Sequence, residues 1–227
     1  QSLTEYPIAG VHGYGMIEKD LELVFKTLIH TPKDELEDLD GLSRDRQDII
    51  VPSCVLFNTL FDEVDATEFI FSRKGLREGV IMKVLEKEYV LPFDKDNVFK
   101  DSLRNLASDY NIKHDEAMQR TMIAEMLYYE MEKHDLIKGN KKDKTFLKHA
   151  AYLYYLGSYI DSDAASQHTY YILSNSSLNG ISHKNRVKLA LLSSYKNKSL
   201  LKFYEDETKW FNSDEKDVIQ MLGSILK

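Results

Sequence analysis

Apolar positions in this chain recur at helical spacing over most of its length and at strand spacing over two short stretches near the start. Residues 6–17 are apolar and punctuated by Gly10, Gly13 and Gly15, which predicts a strand with its approach loop. Over 18–29, Leu21, Leu23, Val24, Leu28 and Ile29 form one stripe, with Glu18 and Asp20 in the first turn, where carboxylates suit the helix dipole. Thr31-Pro32 places proline at the start of a second short helix, 33–39. A Gly/Ser loop at 41–43 then leads into a long helix carrying Ile49, Ile50, Val55, Leu56, Phe57, Leu60, Phe61 and Val64. That pattern predicts a helix that is mostly core with one polar edge at Asp62 and Glu63. A strand over 67–72 follows, closed by the turn Ser72-Arg73-Lys74-Gly75, and a helix runs on to about Glu86.

Beyond residue 97 the pattern is helical throughout. Helices are expected at 98–109, 114–133, 143–160, 165–176, 183–196 and 213–227, with breakers at Lys138-Gly139-Asn140 and Leu178-Asn179-Gly180. Pro92 and the charged run at 94–97 mark the expected boundary. The fold class is therefore α+β overall, an α/β domain over 1–92 followed by an all-α domain over 93–227.

Composition narrows the function without naming it. A net charge of −7 gives no global reason to expect nucleic acid. No apolar run approaches the roughly 20 residues of a membrane span. The single cysteine, Cys54, sits on the apolar helix, reads as a small core residue, and fits a reducing, cytoplasmic setting. Gln1 is not an initiator methionine and Lys227 lies inside an amphipathic run, so an internal piece of a longer protein is expected.

Candidate chemistry is local. Among the ten glycines only Gly13 and Gly15 are separated by a single residue. They lead into no phosphate-binding helix turn, so no catalytic phosphate cradle is expected. Arg46, at the start of the long helix, could hold a phosphate bidentately or pair with Asp45 or Asp48. Lys74 and Arg77 face the same choice, with Arg77 and Glu78 expected to tie the turn together. His114, His134, His149, His168 and His183 have no metal-ligand spacing and are expected as surface or cap residues. Residues 164–204 contain no Asp or Glu but carry Lys184, Arg186, Lys188, Lys196, Lys198 and Lys202. That asymmetry reads either as a solvated helix surface or as a polyanion track.

Two motifs carry a resemblance. GLSRDRQDIIVP at 41–52, followed by SRKGLREGV at 72–80, resembles the second actin-like domain of the exopolyphosphatase / guanosine-pentaphosphate phosphohydrolase (Ppx/GppA) family. The similarity extends through Val11-His12-Gly13-Tyr14 and downstream over 150–198. It implies part of an actin-like (ribonuclease H-like) α/β domain, then a helical domain related to HD-type metal phosphohydrolases and truncated at its C-terminal end. It also implies release of terminal phosphate from inorganic polyphosphate or guanosine pentaphosphate, with Mg²⁺ and a carboxylate base supplied by a preceding half. No catalytic residue is then expected in this chain, which alone should be inactive. The HD-type ligand positions correspond to Ala117 and Tyr154-Tyr155, so no metal is expected. The resemblance further implies a homodimer, for which Tyr128, Tyr129, Tyr152, Tyr154, Tyr155, Tyr159, Tyr170 and Tyr171 offer interface side chains. Arg46, Lys74, Lys184, Arg186, Lys196 and Lys198 stand as phosphate or polyanion candidates. The alternative is a non-catalytic polyphosphate- or alarmone-binding module.

Overall fold

The computed structural model describes residues 3, 6, 10–39, 42–89 and 97–227, and it divides the chain into two compact units, Gln1–Glu78 and Gly79–Lys227. Gly41 and the expected boundary at Pro92 and the charged run before Asn97 lie outside the described residues.

The first unit is built on a two-stranded antiparallel sheet. Strand β1 (Gly15–Ile17) pairs with β2 (Glu68–Ile70) in the register Gly15↔Ile70, Met16↔Phe69, Ile17↔Glu68. Alternation sends Tyr14 and Met16 inward, and Phe69 follows from the partner strand. Tyr14, Met16, Leu21 and Phe61 form the core, with Val24, Phe69 and Phe71 packed against it. The helices α1 (Glu18–His30) and α2 (Gln47–Glu63) pack on one another, and α1 also covers the sheet. The short helix expected at 33–39 is a 3₁₀ turn, Glu35–Asp38. Helix α3 (Leu76–Tyr89) follows the turn after β2.

The burial of α2 departs from expectation. Phe61 is its buried apolar side chain, whereas Leu56, Phe57, Leu60 and Val64 are 46–69% exposed. A three-residue strand pair has room to cover one narrow stripe of a helix, so an apolar surface wider than that stripe stays outside the core.

The second unit is helical among its described residues: α4 (Val98–Asp109), α5 (His114–Lys133), α6 (Lys141–Tyr152), α7 (Ala165–Asn175), α8 (His183–Ser193), α9 (Lys198–Thr208) and α10 (Ser213–Leu226). The span expected as one helix over 143–160 breaks after Tyr152. Tyr155 takes a left-handed conformation at φ 58°, and a 3₁₀ turn, Leu156–Tyr159, follows. Helix α9 lay outside the expected set; its signal is Asn197, whose side chain accepts from the Leu200 amide at 2.9 Å. Helix α8 is the centre. His183, Arg186, Val187 and the run Leu189–Ser193 are buried, and α6, α7 and α10 pack around it. Gly157 lets the 3₁₀ turn press onto α7, since a Cβ there would lie 2.5 Å from the Thr169 amide nitrogen. No helix among the described residues is long and apolar enough to cross a membrane.

Candidate functional site

In the first unit the segments 11–14 and 72–75 meet. The Gly13 amide donates to the Phe71 carbonyl at 2.9 Å, and the Arg73 amide donates to His12 Nδ1 at 3.2 Å. The turn is then closed internally. The Lys74 amide donates to Ser72 Oγ at 2.9 Å and the Gly75 amide to Glu78 Oε2 at 2.8 Å. The amides of Glu78 and Gly75 hold the Glu78 carboxyl below its ordinary range. Glu78 thus ties the turn, while the side chains of Lys74 and Arg77 are exposed.

Arg46 ends a 3₁₀ turn, Arg44–Arg46, and its side chain is exposed. Asp48, one of its two expected partners, is paired instead with Lys33 at 2.7 Å. The Asp45 carboxyl is lowered first by a hydrogen bond from Ser43, with the Arg46 charge as a smaller contribution.

The acid-free stretch of sequence is not acid-free in space. Lys184 pairs with Glu215 at 2.7 Å and lies 5.5 Å from the centre of the Phe211 ring. Lys188 pairs with Asp143 at 3.1 Å, and both side chains are largely buried. Arg186 is 2% exposed and donates from Nη1 to the Ser176 carbonyl at 2.9 Å. Arg186 is therefore core, which corrects its place on a surface track. Lys198 and Lys202 are exposed but share a concavity of about 320 Å³ with Glu205, Asp206 and Asp217. Lys196 is exposed in the loop between α8 and α9. The charge asymmetry disappears because α6, α9 and α10 bring acids to cations that the sequence separates from them.

The positions that an HD-type site would use serve the helix beside them. The Tyr154 hydroxyl donates to the Tyr195 carbonyl at 3.0 Å and the Tyr155 amide to the Ser193 carbonyl at 3.1 Å. Ser166 Oγ donates to the Ser194 carbonyl between them. Three consecutive carbonyls at the end of α8, which the helix cannot satisfy itself, receive donors from outside it. Burial, reinforced by Tyr155, pushes the Tyr154 hydroxyl well above the ordinary phenol range. Ala117 is fully buried on α5. Among the described residues no group of three His, Cys, Asp or Glu that could hold a metal ion is found.

Two histidines differ from the surface or cap expectation. His183 opens α8 and is buried. His149 is half-buried edge-on to Phe99, with ring centres 5.0 Å apart. Burial, with Lys148 and Lys100 nearby, lowers its pKa to about 4.

Comparison with known families gives two matches. Residues 98–227 match the family model described as Ppx/GppA phosphatase, domain III, and residues 2–88 match the one described as Ppx/GppA phosphatase family.

Proposed function

Since the chain belongs to the Ppx/GppA phosphatase family, we propose that it is the substrate-binding and dimerising portion of an exopolyphosphatase-like phosphohydrolase. The substrate class is a phosphoanhydride polyanion, either inorganic polyphosphate or guanosine pentaphosphate. The observation that carries this reading is the pair of family matches, in chain order, over both units. The chain itself contributes no phosphate cradle and no base. Arg46, Lys74, Lys184, Lys196 and Lys198 are the contacts proposed for substrate phosphates. The actin-like assignment of residues 1–92, Mg²⁺ dependence of the complete enzyme, cytoplasmic residence and a tyrosine-rich dimer contact belong to the same proposal.

The second reading is a non-catalytic polyphosphate- or alarmone-binding module; Tyr154 and Tyr155, engaged in holding α8, serve either reading as scaffold. One set of measurements separates the outcomes. The purified chain should release no orthophosphate from polyphosphate or guanosine pentaphosphate with Mg²⁺ present. It should bind long-chain polyphosphate with an affinity that falls steeply with salt, because neutralised phosphates release counterions. Neutralising Lys196, Lys198 and Lys74 should weaken that binding more than neutralising Lys19, Lys83 and Lys87. Equal losses from both sets, or no binding, would overturn the substrate-binding role; orthophosphate release would overturn the inactive portion.

A further inference from the structure

A cleft of about 310 Å³ lies among α4, α5 and α6 of the helical unit. Its size is at the lower end of small-molecule sites. The floor is apolar. Leu103 of α4 and Thr121 of α5 are buried there, and the Thr121 hydroxyl already donates to the Ala117 carbonyl at 2.8 Å. Met118, one turn before Thr121, is exposed and forms an adaptable lip. Tyr152 of α6 adds a half-buried ring whose hydroxyl lies 3.2 Å from His114 Nδ1.

Lys100, Arg104 and Lys148 line the same cleft, and among the described residues no Asp or Glu does. Two of these three cations are matched by acids just outside it. Arg104 pairs with Asp101 and Lys148 with Glu125, each at 3.1 Å. Lys100 is exposed on α4, one turn before Arg104, and has no acid within ion-pair distance among the described residues. His149 also lines the cleft but is uncharged at neutral pH, because burial, with Lys148 and Lys100 nearby, lowers its pKa to about 4. The cleft therefore presents one uncompensated positive charge beside an apolar floor.

We propose that this cleft binds an aliphatic monocarboxylate of medium chain length, its carboxylate on Lys100 and the Tyr152 hydroxyl and its chain over Leu103 and Met118. With the hydrogen on His114 Nδ1, the Tyr152 hydroxyl accepts it and keeps its own hydrogen for a ligand oxygen. A polyphosphate chain brings many charges to a place with one uncompensated cation, and it has no apolar part to set on the floor. A neutral hydrocarbon leaves Lys100 unused. A monoanion with an apolar body uses both halves of the lining. The inference rests on neither reading of the function given above, since its ligand is of another chemical class.

The test is calorimetric titration of the full chain with octanoate, acetate, 1-octanol and inorganic tripolyphosphate. Octanoate should bind saturably and at least about tenfold more tightly than acetate, because its methylenes leave water. Octanol should bind more weakly than octanoate, since it cannot use the Lys100 charge. Lys100→Gln should lower octanoate affinity about three- to tenfold and leave octanol unchanged; the side chain is exposed, so the fold should be unaffected. Met118→Gln should weaken octanoate and octanol alike, with circular dichroism confirming that the variant is folded. Tripolyphosphate at the same concentration should not displace octanoate. Three outcomes would overturn the proposal: no saturable octanoate binding at millimolar concentration, displacement of octanoate by tripolyphosphate, or octanoate affinity indifferent to Lys100→Gln or to Met118→Gln.

Discussion

The Tyr154 hydroxyl reaches the Tyr195 carbonyl at 3.0 Å, across 41 residues of sequence, and secures the chain as it leaves α8. Removing the donor leaves a carbonyl in a half-buried place without that partner. Tyr154→Phe should therefore cost about 1–2 kcal/mol of stability while leaving the helix content unchanged. Urea unfolding followed by circular dichroism measures it, and an unshifted midpoint would mean that water replaces the hydroxyl freely.

Two glycines should respond with opposite signs. Gly157→Ala places a methyl against the backbone of α7, where neither the Thr169 amide nor the Ala165 carbonyl can move aside easily. A loss of about 1–3 kcal/mol or more is expected. Gly79 lies in α3 with nothing within 4 Å of a built Cβ. Gly79→Ala should stabilise by about 0.5–1 kcal/mol, because the unfolded chain loses freedom. Melting temperatures of the two variants that move in the same direction would contradict this account.

His149 gives the helical unit a pH dependence with a definite sign. Its folded pKa of about 4 lies below the unfolded value of about 6.5, so the unfolded state binds more protons between the two. The contribution is fully present above pH 6.5, is lost as pH falls towards 4, and levels off below. Discounted for partial exposure, it is about 1–2 kcal/mol. Denaturant midpoints of the parent and His149→Gln should converge as pH drops from 7 to 4.5. Parallel curves over that range would exclude the histidine as their source.

Arg186 and Lys184 are two residues apart and should behave as different kinds of residue. Arg186→Ala strips a buried side chain and leaves the Ser176 carbonyl without its donor, for a loss of about 2–4 kcal/mol. Lys184→Ala breaks a solvent-exposed pair and should cost less than about 1 kcal/mol. Similar losses in the two variants would show that Arg186 is not the core residue its burial makes it.

The sequence by itself determined the elements whose signals are local. Dipole-suited acids, helical periodicity and breaker residues act within a few residues, so α1, α4, α5 and α7 fall at the ends expected for them to within a residue. The paired motifs around Arg46 and Lys74 likewise identified the family, because the turn that Glu78 and Gly75 close is specified by neighbours in sequence. Tertiary structure decided everything that depends on which helix lies beside which. Six cations in an acid-free stretch are a track only if no other element delivers acids, and Glu215, Asp143 and Glu205 arrive from α10, α6 and the far part of α9. Arg186 looks like its lysine neighbours in sequence and becomes core because α8 is surrounded. Tyr154 and Tyr155 read as missing ligands along the chain, yet they are donors to carbonyls 38 and more residues away. Charge and hydrogen bonding act through space over a few ångströms, and only the packing of the helices sets those distances.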